Sequence, residues 1–543
     1  MKRGNPFLKG VKKVNTMSNF TIILFLCNWG PHSAFQTLQD QCADIPDAIK
    51  MIRIPCTGRI SKSLLFKSFE KGADGVAVMG CSPGSCRYGT GTDVATNNIT
   101  DIRNVLEILG IGKERLRHAH FFPDDTRGVL DFLTTFSNDI QALGKSPVQR
   151  NKEPEFFPDP EKTLHEIIAN HDVYACQDCG KCSSACPLTL AGKSFSPRAL
   201  ANALISGDSQ SPEVVEGIWS CLTCGLCYDR CPSAVNFPDF IKDVRCLISK
   251  DQIMSRESHG GFFQCLMRTM ASEKVQPDRY ADLPGDIRLD PKSKILFFGG
   301  CAPYFDTFFR QTLDTHTSDI LKDSLRLLNF FDIQPAVLKN EKCCGHDLLW
   351  SGDRESFNRL ATLNVNTLNA LGIDQVVTAC PECHHTLSHE YGPLGLNPDI
   401  KVTHIYELLE DEIGKGAVDF KRIHRNLTYQ DSCRLTRFED QGSLPRKLIK
   451  RLKPDGFQEM QESNRGAICC GNSAWVGCDA YSKALQVKRL KQSKENGRDL
   501  LVTSCPKCQI HLRCAMEDPF LEEALKIEMT DLTSIMAKTI YWK

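Results

Sequence analysis

Eight cysteines fall into two runs of one spacing: Cys176, Cys179, Cys182 and Cys186 before Pro187, then Cys221, Cys224, Cys227 and Cys231 before Pro232. Each run reads C-x2-C-x2-C-x3-C-P. Thiolates at this spacing wrap one iron–sulfur cubane, and the cysteine ahead of proline reaches across to the other cube. The expected sets are Cys176, Cys179 and Cys182 with Cys231, and Cys221, Cys224 and Cys227 with Cys186. Each set is expected to hold one 4Fe–4S cluster. Structural zinc is the alternative that eight thiolates allow, and the doubled spacing with both prolines argues against it. The chemistry implied is the movement of single electrons.

Ten more cysteines form a second repeat. Cys301, Cys343-Cys344-Gly345 and Cys380-Pro381-Glu382-Cys383 are followed by Cys433, Cys469-Cys470-Gly471 and Cys505-Pro506-Lys507-Cys508. The copies lie about 130 residues apart, a period that marks two homologous lobes, expected to face each other about a pseudo-twofold. Five thiolates exceed the four a cubane needs. On ligand chemistry alone, zinc or an ordinary cubane in one lobe stays open. Near the N-terminus, Cys27, Cys56, Cys81 and Cys86 stand outside both repeats.

The total of 27 cysteines is odd, and most sit in tight pairs or C-x2-C groups that chelate more readily than they cross-link. That usage points to metal binding in a reducing, cytoplasmic setting rather than to a disulfide scaffold. Lys+Arg equals Asp+Glu at 66 each, so no basic field suits nucleic acid or anionic lipid. No window approaches the ~18 apolar residues that cross a bilayer. The apolar run after the basic N-terminus is short and leads into Asn28-Trp29-Gly30, a turn, so it reads as a first strand behind a loose extension over 1–17.

The elements that must position these ligands fall into four blocks. Residues 18–145 alternate short β-rich runs with helical stretches. Phe20–Leu26, Met51–Ile54 and Gly75–Met79 read as buried strands, and Ser61–Lys71 as a helix stopped by Gly72. That is an α/β domain with a largely parallel sheet. A linker is expected over 144–162. Residues 163–285 read as helical, with Ser196-Pro197 and Ser211-Pro212 as helix starts. Residues 292–415 and 424–543 are the two repeated α/β lobes. In each, a β-run leads into the lone cysteine and another into C-P-x-C. The ligands thus fall after strands, where parallel sheets gather them. The fold class is a multidomain α/β chain with a helical insert.

These motifs resemble known families. The C-x(n)-C-C-G-x(n)-C-P-x-C pattern resembles the CCG domain of the disulfide-cleaving component of heterodisulfide reductase. The block over 163–285 resembles the two-cluster ferredoxin component of the same enzyme. The first block resembles the delta subunit of methyl-viologen-reducing hydrogenase. It does so through Cys27-Asn28-Trp29, Cys56-x-Gly58-Arg59, Gly72-Ala73-Asp74-Gly75-Val76 and Gly80-Cys81-x2-Gly84-x-Cys86-x-Tyr88. The chain departs from that family where its second cysteine of C-N-W-C is Gly30; the resemblance implies a 2Fe–2S cluster, for which Cys27, Cys56, Cys81 and Cys86 remain as the four ligands.

The resemblance implies two noncubane 4Fe–4S clusters. One is held by Cys301, Cys343, Cys344, Cys380 and Cys383, the other by Cys433, Cys469, Cys470, Cys505 and Cys508, and the pair cleaves a disulfide between them. With two cubanes and one 2Fe–2S cluster, roughly 18 iron per chain are expected. The implied partners are a flavoprotein of the heterodisulfide reductase type and a hydrogenase or other dehydrogenase as electron source. The rival is a relay protein of a glycolate, lactate or glycerol-3-phosphate dehydrogenase delivering electrons to a quinone or membrane partner. No flavin or nicotinamide site is expected, since no G-x-G-x-x-G follows a strand and opens a helix. Cys42, Cys246, Cys265, Cys478 and Cys514 read as core. His346, His384 and His385 read as packing beside the clusters, with proton donation as their functional alternative, and Arg434 reads as a surface arginine with anion attraction as its alternative.

Overall fold

The computed structural model describes residues 20–148, 163–249, 256–416, 418–521 and 523–542. The extension expected over 1–17, and residues 149–162 of the expected linker, lie outside the described residues. The chain divides into two compact bodies. One comprises residues up to 61, 68–100 and 114–146; the other comprises 62–67, 101–113 and 147 onward.

The first body is built on β1 (Ile22–Cys27), β2 (Ile49–Ile54), β3 (Gly75–Cys81) and β4 (Leu116–Phe121), all parallel, in the order β2-β1-β3-β4. The central strands β1 and β3 carry unbroken apolar runs, as strands covered on both faces must. Phe35 and Leu38 from the helix Pro31–Asp40, with Leu133, Phe136 and Ile140 from Thr126–Leu143, pack on Leu24, Leu26, Ala77 and Met79. The expectation that Met51–Ile54 is a buried strand is corrected. β2 pairs on one side only, and Met51 and Ile52 are 38% and 44% exposed. Lys50 and Arg53 flank them, the charged dressing of an edge strand. Asp74 fixes the start of β3: its carboxylate accepts from the backbone N–H of Thr21 and of Ser146, each at 2.8 Å. The helix expected over 61–71 forms over Lys62–Glu70, and Gly72 beyond it takes φ +90°.

The second body joins the helical segment to the two lobes. Ser196 and Ser211 cap the helices Pro197–Ile205 and Pro212–Ser220, accepting from the N–H of Ala199 and Val214. β5 (Ile295–Phe298), β6 (Gln375–Thr378) and β7 (Lys401–His404) form one parallel sheet in the order β5-β6-β7. β8 (Asn426–Tyr429), β9 (Gly456–Phe457), β10 (Leu500–Thr503) and β11 (Glu528–Asp531) form the other, ordered β11-β10-β8-β9. β5, β6 and β7 correspond in order to β8, β10 and β11. The first lobe keeps only a single parallel bridge, Leu296 to Ala336, where the second has β9. One apolar core runs through both lobes, from Phe297, Leu325, Leu328 and Leu409 to Leu427, Leu448, Leu532 and Met536. Burying each such leucine stabilises by about 1.5–3 kcal/mol.

Candidate metal centres

In the first body, the strand ends gather the thiols. Cys27 and Cys81 close β1 and β3, and Cys56 follows β2 by two residues. Cys27 and Cys81 Sγ lie 3.5 Å apart. Burial, then Cys27, pushes the Cys81 thiol up to about 12. Cys56 and Cys86 stand across Gly91, where an added Cβ would sit 2.6 Å from Cys56 Sγ and 2.9 Å from Cys86 Sγ. A Cβ at Gly30 would meet the Phe121 carbonyl at 2.9 Å and Cys81 Sγ at 3.3 Å. The backbone here is pared to glycine around four converging thiols, which fits a small all-thiolate cluster.

In the helical segment, one cavity is walled by Cys186, Cys221, Cys224 and Cys227, which places Cys186 with the second run rather than its own. Burial raises the thiols of Cys186, Cys221 and Cys227. Cys182 is raised by burial, with Cys176 close by. Cys179 is exposed, and Cys231 is half-buried.

The two lobes present their cysteines alike. Cys301 follows β5, and Cys380 and Cys505 are the N-caps of the helices Pro381–His389 and Pro506–Met516, each with proline in the first turn. Cys301, Cys343, Cys344, Cys380 and Cys383 line one cavity, and Cys301 Sγ is 3.1 Å from Cys343 Sγ. Hydrogen bonds from Cys301 and Cys344 hold the Cys343 thiol well below its usual value, while those from Cys469 and Cys508 bring Cys470 down to about 6. The glycine after each Cys-Cys pair is dictated by space. Gly345 and Gly471 take φ +83° and +93°, and a Cβ would meet Phe357 at 2.7 Å and the Ser482 carbonyl at 2.6 Å.

Between the two five-cysteine sets lies a buried charge cluster that the cysteine spacing did not announce. The variable residues of the two C-P-x-C motifs are Glu382 and Lys507, and they pair at 2.5 Å. Lys507 also pairs with Asp347. Although burial opposes it, Lys507 holds the Asp347 carboxyl well below the usual range. His346 Nδ1 lies 2.9 Å from Asp347 Oδ1, and Arg434 Nε donates to His346 Nε2 at 3.2 Å. The opposite charges at the two x positions were the available signal.

Arg434 is not a surface residue. It is 2% exposed, stacks 3.7 Å above the Trp350 ring and donates to the Thr223 carbonyl at 3.2 Å. Thr223 lies between Cys221 and Cys224, and its hydroxyl meets Ser473 at 2.8 Å. Arg437 Nε donates to the Cys224 carbonyl at 2.6 Å. The second ferredoxin-type loop therefore abuts the loops that carry Cys433 and Cys469. His511, which no motif singled out, places Nδ1 3.3 Å from Cys470 Sγ. His384 and His385 are buried and turn to Glu439. Of the five cysteines read as core, Cys246 and Cys265 are buried; Cys42 and Cys478 are exposed, and Cys514 is half-buried, which corrects that reading for three of them.

A chain that brings cysteine sets of these kinds to strand ends is an iron–sulfur protein of multidomain α/β type. Its parts match known families along most of its length. Residues 22–144 match the methyl-viologen-reducing hydrogenase delta subunit family. Residues 170–235 match the 4Fe-4S dicluster domain, and 295–388 and 427–513 match the cysteine-rich CCG domain. The chain is 25% identical over 402 residues to one of the subunits of fumarate reductase (CoM/CoB) from Methanothermobacter marburgensis, covering 71% of this chain and 74% of that one. It is 27% identical over 368 residues to one of the subunits of dihydromethanophenazine:CoB–CoM heterodisulfide reductase from Methanosarcina barkeri, covering 62% and 88%. The chain is thus an iron–sulfur protein related to heterodisulfide reductase subunits, with a hydrogenase delta subunit-like domain ahead of its dicluster and CCG domains. Among the described residues, no helix is long and apolar enough to cross a membrane.

Proposed function

We propose that the chain takes electrons from a flavoprotein of the heterodisulfide reductase type, itself fed by a hydrogenase or another dehydrogenase. It passes them through two 4Fe–4S cubanes to a pair of noncubane 4Fe–4S clusters that reduce a disulfide. Reverse operation, oxidising thiols, is the same site run backwards. The ligand sets are those read from the sequence, with Cys27, Cys56, Cys81 and Cys86 holding a 2Fe–2S cluster in the first domain. The observation that supports this reading is the Glu382–Lys507 pair, which joins the C-P-x-C motif of one lobe to that of the other. A disulfide accepts two electrons and two protons and leaves as two thiols. Held by these cysteines, iron–sulfur groups would supply the electrons one at a time.

The protein's own residues do the rest. Arg434 and Arg437 tie the Cys221–Cys227 loop to the second lobe, which supports that lobe as the point where electrons arrive from the cubanes. Phe297, Ala302, Phe305 and Leu321 give the first set's cavity an apolar wall, beside the charged Asp347, Glu382 and Lys507. The test is anaerobic oxidation of reduced viologen by the purified chain, comparing a disulfide panel with a soluble quinone. Turnover with a disulfide, abolished in Cys470→Ser and Cys344→Ser, is expected. Turnover with quinone alone would move the assignment to a dehydrogenase relay.

A further inference from the structure

Three imidazoles converge on one carboxylate outside the cluster sites. His385 and His389 lie one turn apart on the helix Pro381–His389, and Glu439 follows the π-helix Arg434–Phe438 of the other lobe. His385 Nδ1 is 2.6 Å from a Glu439 oxygen and His389 Nε2 is 3.2 Å away. His384 Nδ1 stands 3.5 Å from the same carboxylate, buried and without a hydrogen-bond partner. A single negative charge faces three nitrogens, one of them orphaned. A buried polar atom left in this way costs about 1–3 kcal/mol.

We propose that His385, His389 and Glu439 bind a divalent transition-metal ion of the zinc class. One ligand atom from each lies within 4.8 Å of the other two. Histidines at i and i+4 share a helix face, and imidazole with carboxylate suits zinc. The site opens on a solvent pocket, also lined by Asp239, Lys242 and Glu390, from which water can complete the coordination. The cations of that pocket already have partners: Lys242 pairs with Asp239 at 2.8 Å and Glu390 at 2.6 Å, Arg437 is bound to the Cys224 carbonyl, and Arg465 pairs with Asp229 at 2.6 Å and Asp440 at 2.7 Å. The helix bearing His385 begins at Cys380 and Cys383, and the π-helix before Glu439 begins at Cys433. The ion therefore staples the cysteine-bearing segment of one lobe to that of the other.

Zinc K-edge X-ray absorption on the iron-loaded chain with one equivalent of Zn²⁺ tests this. The expected first shell is nitrogen and oxygen at about 2.0–2.1 Å with imidazole scattering, and unchanged iron content. His389 has a half-exposed side chain, so His389→Ala retains the fold; it is expected to bind zinc about tenfold or more weakly. A sulfur shell near ~2.3 Å would mean zinc in the thiolate sites and would overturn the proposal. So would zinc affinity in His389→Ala equal to that of the parent chain.

Discussion

Asp531 shows how a single carboxyl is held far from its ordinary state. Its Oδ1 accepts from the Thr533 N–H at 2.8 Å, capping the final helix, while Oδ2 is buried without a partner. Burial, with Asp323 nearby, raises it from 3.8 to about 7. A carboxyl raised in the folded state contributes stability that is complete below pH 3.8 and is lost as pH rises through about 7. Asp531→Asn keeps the cap acceptor and removes the titration. The variant is expected to melt above the parent at pH 8, with the gap closing toward pH 5; a gap independent of pH would refute the buried carboxyl as its cause. The cysteine motifs were legible because their spacing is local in the sequence. Arg434 was not, because its burial depends on Trp350 from the other lobe and on Thr223, which lies 211 residues away.

At the scale of elements, the two lobes part company just after Cys-Cys-Gly. His346–Trp350 forms a short helix in the first lobe. The matching stretch of the second, Asn472-Ser473-Ala474-Trp475-Val476-Gly477, contains poorer helix formers and runs as a loop. Ala474 and Trp475 there take φ +51° and +55°. Left-handed backbone costs about 1–2 kcal/mol per ordinary residue, so something must hold it. Gln264 Nε2 donates to the Ala474 carbonyl at 2.9 Å, the Ser258 N–H to the Trp475 carbonyl at 2.7 Å, and Phe263 stacks on Trp475 at 4.1 Å between ring centres. Gln264→Ala is expected to lower stability by about 1–3 kcal/mol. It is also expected to alter the electron paramagnetic resonance of the second-lobe cluster while the cubane signals stay. An unaltered spectrum would show that the strap does not set the geometry around Cys469 and Cys470. The strand and helix assignments were legible from apolar runs and caps, since those are local. The exposure of β2 was not, because an edge is a property of the sheet. Nor was the strained loop, because side chains from 258–264 override its local preference.

For the whole molecule, the repeat in the sequence marks two lobes of one topology and suggests that they face each other, yet it does not show the core that joins them. A single core crosses from Phe297 and Leu409 to Leu427 and Met536, and the Glu382–Lys507 pair crosses with it. The lobes are therefore expected to unfold together. Calorimetry of the iron-loaded chain should show both five-cysteine clusters lost in one transition, and a chain ending at residue 415 should fail to give a soluble first lobe. Two separated transitions, or a stable fragment, would contradict this.

The shared core bears on ancestry. A duplicated unit that once stood alone would have met its twin through a surface that either could do without. Here that surface has become interior to both, so neither copy can be deleted, exchanged or relocated to another gene without exposing a face that is now apolar. Such a pair is free to diverge in its charged and aromatic residues, as Glu382 and Lys507 have done, but it must be inherited as one piece.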